Sequence, residues 1–565
     1  FIYTDSVAGA PATWAGGGGD SNWSTSGNWN VPLVSPTSLT FAGSTGLVNN
    51  NDLSGFAATS ITFDAAAGAF VLGGNAIQLG GIGFNGNPAT PITQTVNLDM
   101  ALSAGITIDT PTNGNLNLAG NITSVADIFK TDAGTLTFGG TNTIQNLDVN
   151  GGTNIITGST TLIGDNQYGY NRFYVGNGHV GDAGAVAHCN GTLIIQPGAT
   201  FNVTGRFNDA AVIGRDGGSG TVIQNGGTFT FNPDNQTLFL IAATGDSATR
   251  AEYDMNGGLF DMSGKELTAG FGPTTSTGLL NQVSGVITNV GNLHVPWQGG
   301  SAGYGAYTLS GGSIYIGSGG ISSDGPSYAI NLGGGTVAAQ ANWGSSMNMT
   351  LTGSNGPVTF NPNGNTITLT GSLSGSGGLT VNGAGALILN GANTYTGTAH
   401  VTSGSTLEFD VSGTTFGSIH LDNGATLYLN NGGTRVVASC YTNGVALAVG
   451  TYPPGSLGSF TTGGGTLQVA SGISTGIWDG GGADNNWSTG GNWDQDSVPV
   501  FPIGLTFAGS TRLANNNDLS SITASSITFD AAAGAFVLGG NNITLSGNLC
   551  FNGNPAVPIT QTVNI

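Results

Sequence analysis

The chain has 565 residues, of which 101 are glycine, 29 acidic and 8 basic, for a formal charge of −21. Glycine at roughly 18% against a usual ~7%, with so little Lys and Glu, excludes helical bundles and coiled coils. The absence of a three-residue glycine period excludes collagen, the lack of a basic face excludes nucleic-acid binding, and a hydrophobic content of 38% argues against disorder.

The first residues, FIYTDSVAGAPATW, have no basic n-region. No apolar run approaches the ~20 residues of a membrane helix, so no membrane insertion is expected in this segment. Residues 1–12 are assigned to the end of a preceding module or a linker. Residues 13–30, TWAGGGGDSNWSTSGNWN, return as IWDGGGADNNWSTGGNWD at 477–494. Trp14, Trp23 and Trp29 thereby match Trp478, Trp487 and Trp493 at an offset of 464. Residues 41–79 match 507–545 with 31 identities in 39, and 84–98 match 551–565 with 13 in 15. The period is about 465 residues. The expected organisation is one full unit over 13–476 and the start of the next over 477–565, a window on a longer tandem array. Within the unit, 13–30 is the Trp-rich start, 31–440 the coils and 441–476 the module end.

Shorter units recur between the two copies. GTLIIQPGATFNV (191–203), GTVIQNGGTFTF (220–231), AEYDMNGGLFDM (251–262), GLLNQVSGVITN (278–289), GAYTLSGGSIYI (305–316) and YAINLGGGTVAA (328–339) share one design: a short strand, a glycine corner and a second short strand. The corner glycines Gly198, Gly227, Gly258, Gly285, Gly312 and Gly335 are 29, 31, 27, 27 and 23 residues apart. This spacing predicts a β-solenoid with one coil per repeat. Alternating β-branched and aromatic residues form the strands, and glycine supplies the corners. At about 27 residues per coil, a period holds roughly 17 coils, or about 80 Å of rod.

The stretch 374–409, SGSGGLTVNGAGALILNGANTYTGTAHVTSGSTLEF, parallels 127–154. Through Gly377, Gly378, Leu379, Gly383, Gly385, Leu387, Leu389, Gly391, Asn393, Thr394, Tyr395, Gly397 and Gly404 it resembles the autotransporter-associated β-strand repeat, or passenger-associated transport repeat. The Trp-rich start and the tail at 441–472 are similar to the ends of modules in large secreted proteins carrying that repeat. The resemblance implies a right-handed parallel β-helix in an exported bacterial surface protein. No membrane-barrel translocator accompanies it here.

Catalytic chemistry is sparse. The densest charged stretch, GRFNDAAVIGRDGG, holds Arg206, Asp209, Arg215 and Asp216 and is expected to form surface ion pairs between neighbouring corners. His188 adjoins Cys189, with His179 nine residues earlier, but no further ligand lies at metal spacing. Cys440 and Cys550 complete an odd, scattered set. Cys550 falls opposite a gap in the first copy. Asp20 with Asn22, and Asp484 with Asn486, leave calcium open as a ligand, although turn capping is the preferred role. No catalytic, cofactor or metal residue is assigned. The six tryptophans are expected to cover the exposed end of a solenoid at the joint between units, rather than to stack on glycans.

The expected function is therefore mechanical and non-enzymatic. The chain is expected to be a repeat unit of an extracellular filament or surface fibre, with itself as main partner and with glycans or a cell surface as further contacts. A glycan-binding adhesin is the first alternative and a β-helix polysaccharide-degrading enzyme the second.

Overall fold

The computed structural model describes residues 9–164, 173–178, 189–206, 211–234, 238–243, 249–272, 276–297, 303–409, 415–430, 432–469, 475–494, 498–499, 503–552 and 557–565. Strands dominate, and the only helical elements among these residues are short 3-10 turns such as Ser26–Asn28 and Gly490–Asn492. The fold is a parallel β-helix. The chain divides into two compact units, Phe1–Gly371 and Ser372–Ile565, at a point inside the stretch 31–440.

In the first unit each central coil contributes strands to three faces. Asn190–Ile195, Thr200–Arg206 and Ala211–Arg215 belong to one coil. Ser219–Pro233 and Leu238–Ala243 belong to the next. Every ladder between these coils is parallel. Identical inward positions stack through the coils. Leu193 lies on Val222, Tyr253, Leu280 and Tyr307 in turn. Phe201 lies on Phe229, Phe260 and Ile287. All are buried. Phe229 and Phe260 stack with centroids 4.7 Å apart, and Tyr253 stacks on Phe260 at 5.0 Å. Burying each such side chain contributes about 1.5–3 kcal/mol, and parallel stacking lets a single coil share that burial with both neighbours.

Two tyrosine hydroxyls inside the core pair with glutamines. The Tyr253 hydroxyl donates to Gln224 Oε1 at 2.6 Å, and the Tyr307 hydroxyl to Gln282 Oε1 at 2.8 Å. Gln224 and Gln282 in turn donate to the Leu259 and Ser313 carbonyls. Lys130 also turns inward. Its Nζ donates to the carbonyls of Thr131, Asp132 and Gly151.

The six corner glycines have φ between 66° and 82°. From Gly258 onward they also stack on one another. A Cβ on Gly258 would lie 2.3 Å from the Gly227 carbonyl oxygen, and one on Gly312 would lie 2.3 Å from that of Gly285. The corner therefore needs glycine for two separate reasons, left-handed backbone and close approach between successive coils.

Coil length is less uniform than the 27-residue expectation. Leu39, Ile61 and Ile82 follow each other in register at 22 and 21 residues. Ile128 and Leu147 are 19 apart, whereas Val212, Leu240 and Thr268 are spaced by 28. The glycine spacing samples the long central coils, and the shorter coils elsewhere pack more turns into the same length of chain.

In the second unit the coils are also short. Leu379, Ala399, Ile419 and Cys440 stack at 20, 20 and 21 residues. This solenoid then ends in antiparallel pairings. Thr434–Thr442 pairs with Val445–Ala446, and Gly450–Tyr452 pairs with Thr466–Val469. The strands from Thr475 onward form separate sheets, so among the described residues no ladder joins Thr466–Val469 to Thr475–Trp478. The new sheets repeat the opening of the first unit. Trp14 lies on Phe41 and Phe63, as Trp478 lies on Phe507 and Phe529.

Candidate functional site: the tryptophan coil

The Trp-rich segment forms the first coil of its solenoid. Strand Ala12–Trp14 pairs with Thr37–Phe41, and Asn22 bridges in parallel to Asn50. Glycine-rich residues 16–19 let the chain turn between these two points, and the 3-10 turn Ser26–Asn28 brings Trp29 back against Trp14. The three indoles then fill the inside of the coil. Trp14 and Trp29 meet edge-on at 5.1 Å, Trp23 and Trp29 at 5.8 Å, and all three contact Phe41.

Each ring nitrogen of this coil has a partner. Trp23 Nε1 donates to Asn49 Oδ1 at 2.8 Å, Trp29 Nε1 to the Trp23 carbonyl at 3.0 Å and Trp14 Nε1 to the Thr45 carbonyl at 3.1 Å. Trp478, Trp487 and Trp493 repeat the ring packing, with Trp487 on Asn515 and Trp493 on the Trp487 carbonyl, whereas the buried Trp478 Nε1 meets no acceptor among the described residues. All six side chains are at most 5% exposed. Buried rings offer no face to a sugar, and among the described residues each of their opening strands pairs with one neighbour only, at the end of a sheet stack.

The acidic residues of the coil are consumed by its own turns. Asp20 Oδ1 accepts from the Asn22 N–H at 3.0 Å, and Asp484 Oδ1 from the Asn486 N–H at 3.0 Å. Hydrogen bonds, foremost from Thr25 to Asp20 and from Thr489 to Asp484, hold both carboxyls below the usual range. Asp52 accepts from the backbone and hydroxyl of Ser24, and Asp518 does the same for Ser488. No group of three or more His, Cys, Asp or Glu that could hold a metal occurs among the described residues.

Other sequence candidates are dispersed. His179, His188 and Asp209, and the side chain of Arg206, lie outside the described residues. Arg215 reaches Asp216 at 3.5 Å, but its stronger contact is different from the expected corner pairing. Its guanidinium lies 4.9 Å over the Tyr174 ring and donates to the Tyr174 hydroxyl at 2.6 Å. Cys189 and Cys440 are buried, and burial pushes their thiols up to about 11 and about 12, away from reactivity. Cys550 is exposed and pairs with Thr528. Thr62 pairs with Gly83 in the first copy, so the structure sets Cys550 opposite Gly83 rather than opposite a gap.

Two features were missed by sequence reasoning. The outward residues Phe129, Asp148, Tyr174, Val212, Leu240 and Thr268 stack in one column and are all buried. Their strands are therefore covered on both faces. The continuous apolar run LFLIAA at 238–243 carries that signal. His400, His420 and Tyr441 also stack through successive coils, with His400 Nε2 3.0 Å from Asp422. Their spacing of 20 and 21 residues was the available clue. An open groove of about 660 Å³ lies over Phe56, Ile77, Gln78, Met100 and Asn121. Asp99 is its one carboxylate and accepts from the Asn121 N–H at 2.9 Å.

The chain matches no family model, no curated protein and no solved structure.

Proposed function

We propose that the chain is a structural repeat of an extracellular solenoid fibre, built as a covalent tandem array of capped modules. The observation that carries this reading is the recurrence of one complete coil. The same three indoles, the same Asn partner and the same Asp–Ser clasp reappear after 464 to 466 residues, again at the start of a parallel stack. A catalytic protein has no need to duplicate an end cap, whereas an array needs one for every module. The antiparallel pairings over 434–469 support the same reading from the other end, because they occupy strand edges that would otherwise template aggregation. The resemblance of 374–409 to the autotransporter-associated repeat supports export and surface display.

Electron microscopy of the native material tests the proposal. Fibres with an axial periodicity equal to one module are expected. Compact particles without axial repeat would overturn it.

A further inference from the structure

One face of the first unit carries a regular array of threonines that the fibre reading does not require. Four consecutive strands, Thr141–Ile144, Ser159–Gly164, Thr200–Arg206 and Ser219–Pro233, are paired in parallel and in register there. Thr141, Ser159, Thr200 and Thr228 form one outward rank. Thr143, Thr161, Asn202 and Thr230 form a second rank beside it. The residues between the ranks, Asn142, Thr160, Phe201 and Phe229, are buried, so both ranks point outward. Seven of these eight positions are Thr or Ser, and Arg206 at the end of its strand is the only charged residue in the four strands.

The geometry of the ranks follows from the ladder. Neighbours along a rank are about 4.8 Å apart, and the two ranks are separated by two strand residues, about 6.7 Å. Threonine is β-branched and stiff at χ1, so its methyl and hydroxyl are held in a fixed pose on a rigid backbone. The Asn202 side chain further pins Thr161, donating to its Oγ1 at 3.3 Å. The result is a preorganised two-dimensional array with a hydroxyl at seven of its eight points and a methyl group at the six threonines.

The chemistry of this lattice limits its occupant. Protein interfaces are anchored by aromatic and Arg side chains, and Ser and Thr are under-represented among their hot spots. Small molecules need a concave pocket, and a sheet face is not one. A crystalline surface needs only periodicity. The two spacings lie close to the two oxygen repeats on a prism face of hexagonal ice. Fixed hydroxyls can continue the hydrogen-bond lattice, and fixed methyls can seat in its hollows. We infer that this threonine face binds ordered, ice-like water, so that the protein adsorbs to ice.

The inference is independent of the fibre proposal and is tested on the intact 565-residue chain. The assay is inhibition of ice recrystallisation together with thermal hysteresis. The wild-type chain is expected to inhibit recrystallisation. Thr161→Lys with Thr230→Lys should abolish that inhibition while circular dichroism and the melting temperature stay unchanged. Thr462→Lys, on an exposed strand of the second unit, should leave it intact. If the double variant does not fold, Thr161→Val with Thr230→Val keeps shape and methyl groups, and should retain most of the activity. Wild-type protein that leaves ice growth unaltered would overturn the inference, as would a folded double variant with full activity. Concentration-dependent self-association abolished by the double variant, without any effect on ice, would also overturn it and make the face an interface between copies.

Discussion

The indole of Trp23 donates to Asn49 Oδ1 at 2.8 Å, and Trp487 repeats that bond to Asn515 at 2.9 Å. A buried hydrogen bond reproduced in both copies ties the capping coil to the coil beneath it. Trp23→Ala removes a fully buried ring and leaves Asn49 Oδ1 without its donor. A loss of about 3–5 kcal/mol is expected for this truncation. Asn49→Leu leaves the ring in place without its acceptor and should cost about 1–3 kcal/mol. Chemical denaturation of the two variants checks the order. Equal effects would show that the bond, not the packing, dominates the cap.

Gly198 and Gly258 share a φ of 82°, yet their surroundings differ. A Cβ on Gly198 meets nothing within 4 Å, whereas one on Gly258 meets the Gly227 carbonyl at 2.3 Å. Gly198→Ala should therefore cost only the left-handed penalty of about 1–2 kcal/mol. Gly258→Ala adds a backbone clash and should cost clearly more. Urea midpoints of the two variants give the comparison, and a similar loss in both would show that the stacked corners can open without penalty.

These corners were the most legible part of the molecule, because a positive-φ turn leaves glycine in the sequence at each pass. The tryptophan coil was legible for a related reason: three large aromatics among glycines are rare, and here they occur twice. The antiparallel closure over 434–469 was not, since alternation of apolar and polar residues is the same for either strand direction. Nor was the inward course of Lys130. Its neighbours Ile128 and Phe129 are apolar, but only the register with Ile108 and Val149 sets its side chain inside. The all-round burial of Tyr174 and Leu240 depends on what covers the strand from outside, which a single strand does not encode.

The core pair of Gln282 and Tyr307 offers a double-mutant test. Gln282→Leu leaves the buried Tyr307 hydroxyl without its acceptor, and Tyr307→Phe leaves Gln282 Oε1 without its donor. Each single change should cost about 1–3 kcal/mol. The double variant, which removes the hydroxyl together with the amide, should be less destabilised than the sum of the two. Strict additivity in equilibrium unfolding would mean that the two side chains are not energetically coupled.

Lys130 gives the fold a pH dependence of predictable sign. Burial pulls its ammonium from 10.5 down to about 8, against the opposing pull of Asp132 and Asp109. Between about pH 8 and 10.4 the unfolded lysine still carries its proton while the folded one has shed it. The unfolded state then binds more protons, so stability rises with pH across this window. The gain is on the order of 3 kcal/mol, and it is absent below pH 8, where both states are charged. Lys130→Met removes the titrating group and should flatten this segment of the profile. The buried hydroxyls of Tyr253 and Tyr307, which burial keeps protonated well above the usual range, oppose the trend at high pH in both proteins and cancel in the difference. Unfolding free energies of wild type and variant from pH 7 to 10 make the measurement. A difference that does not change with pH would mean that the three carbonyls around Nζ hold the ammonium charged throughout.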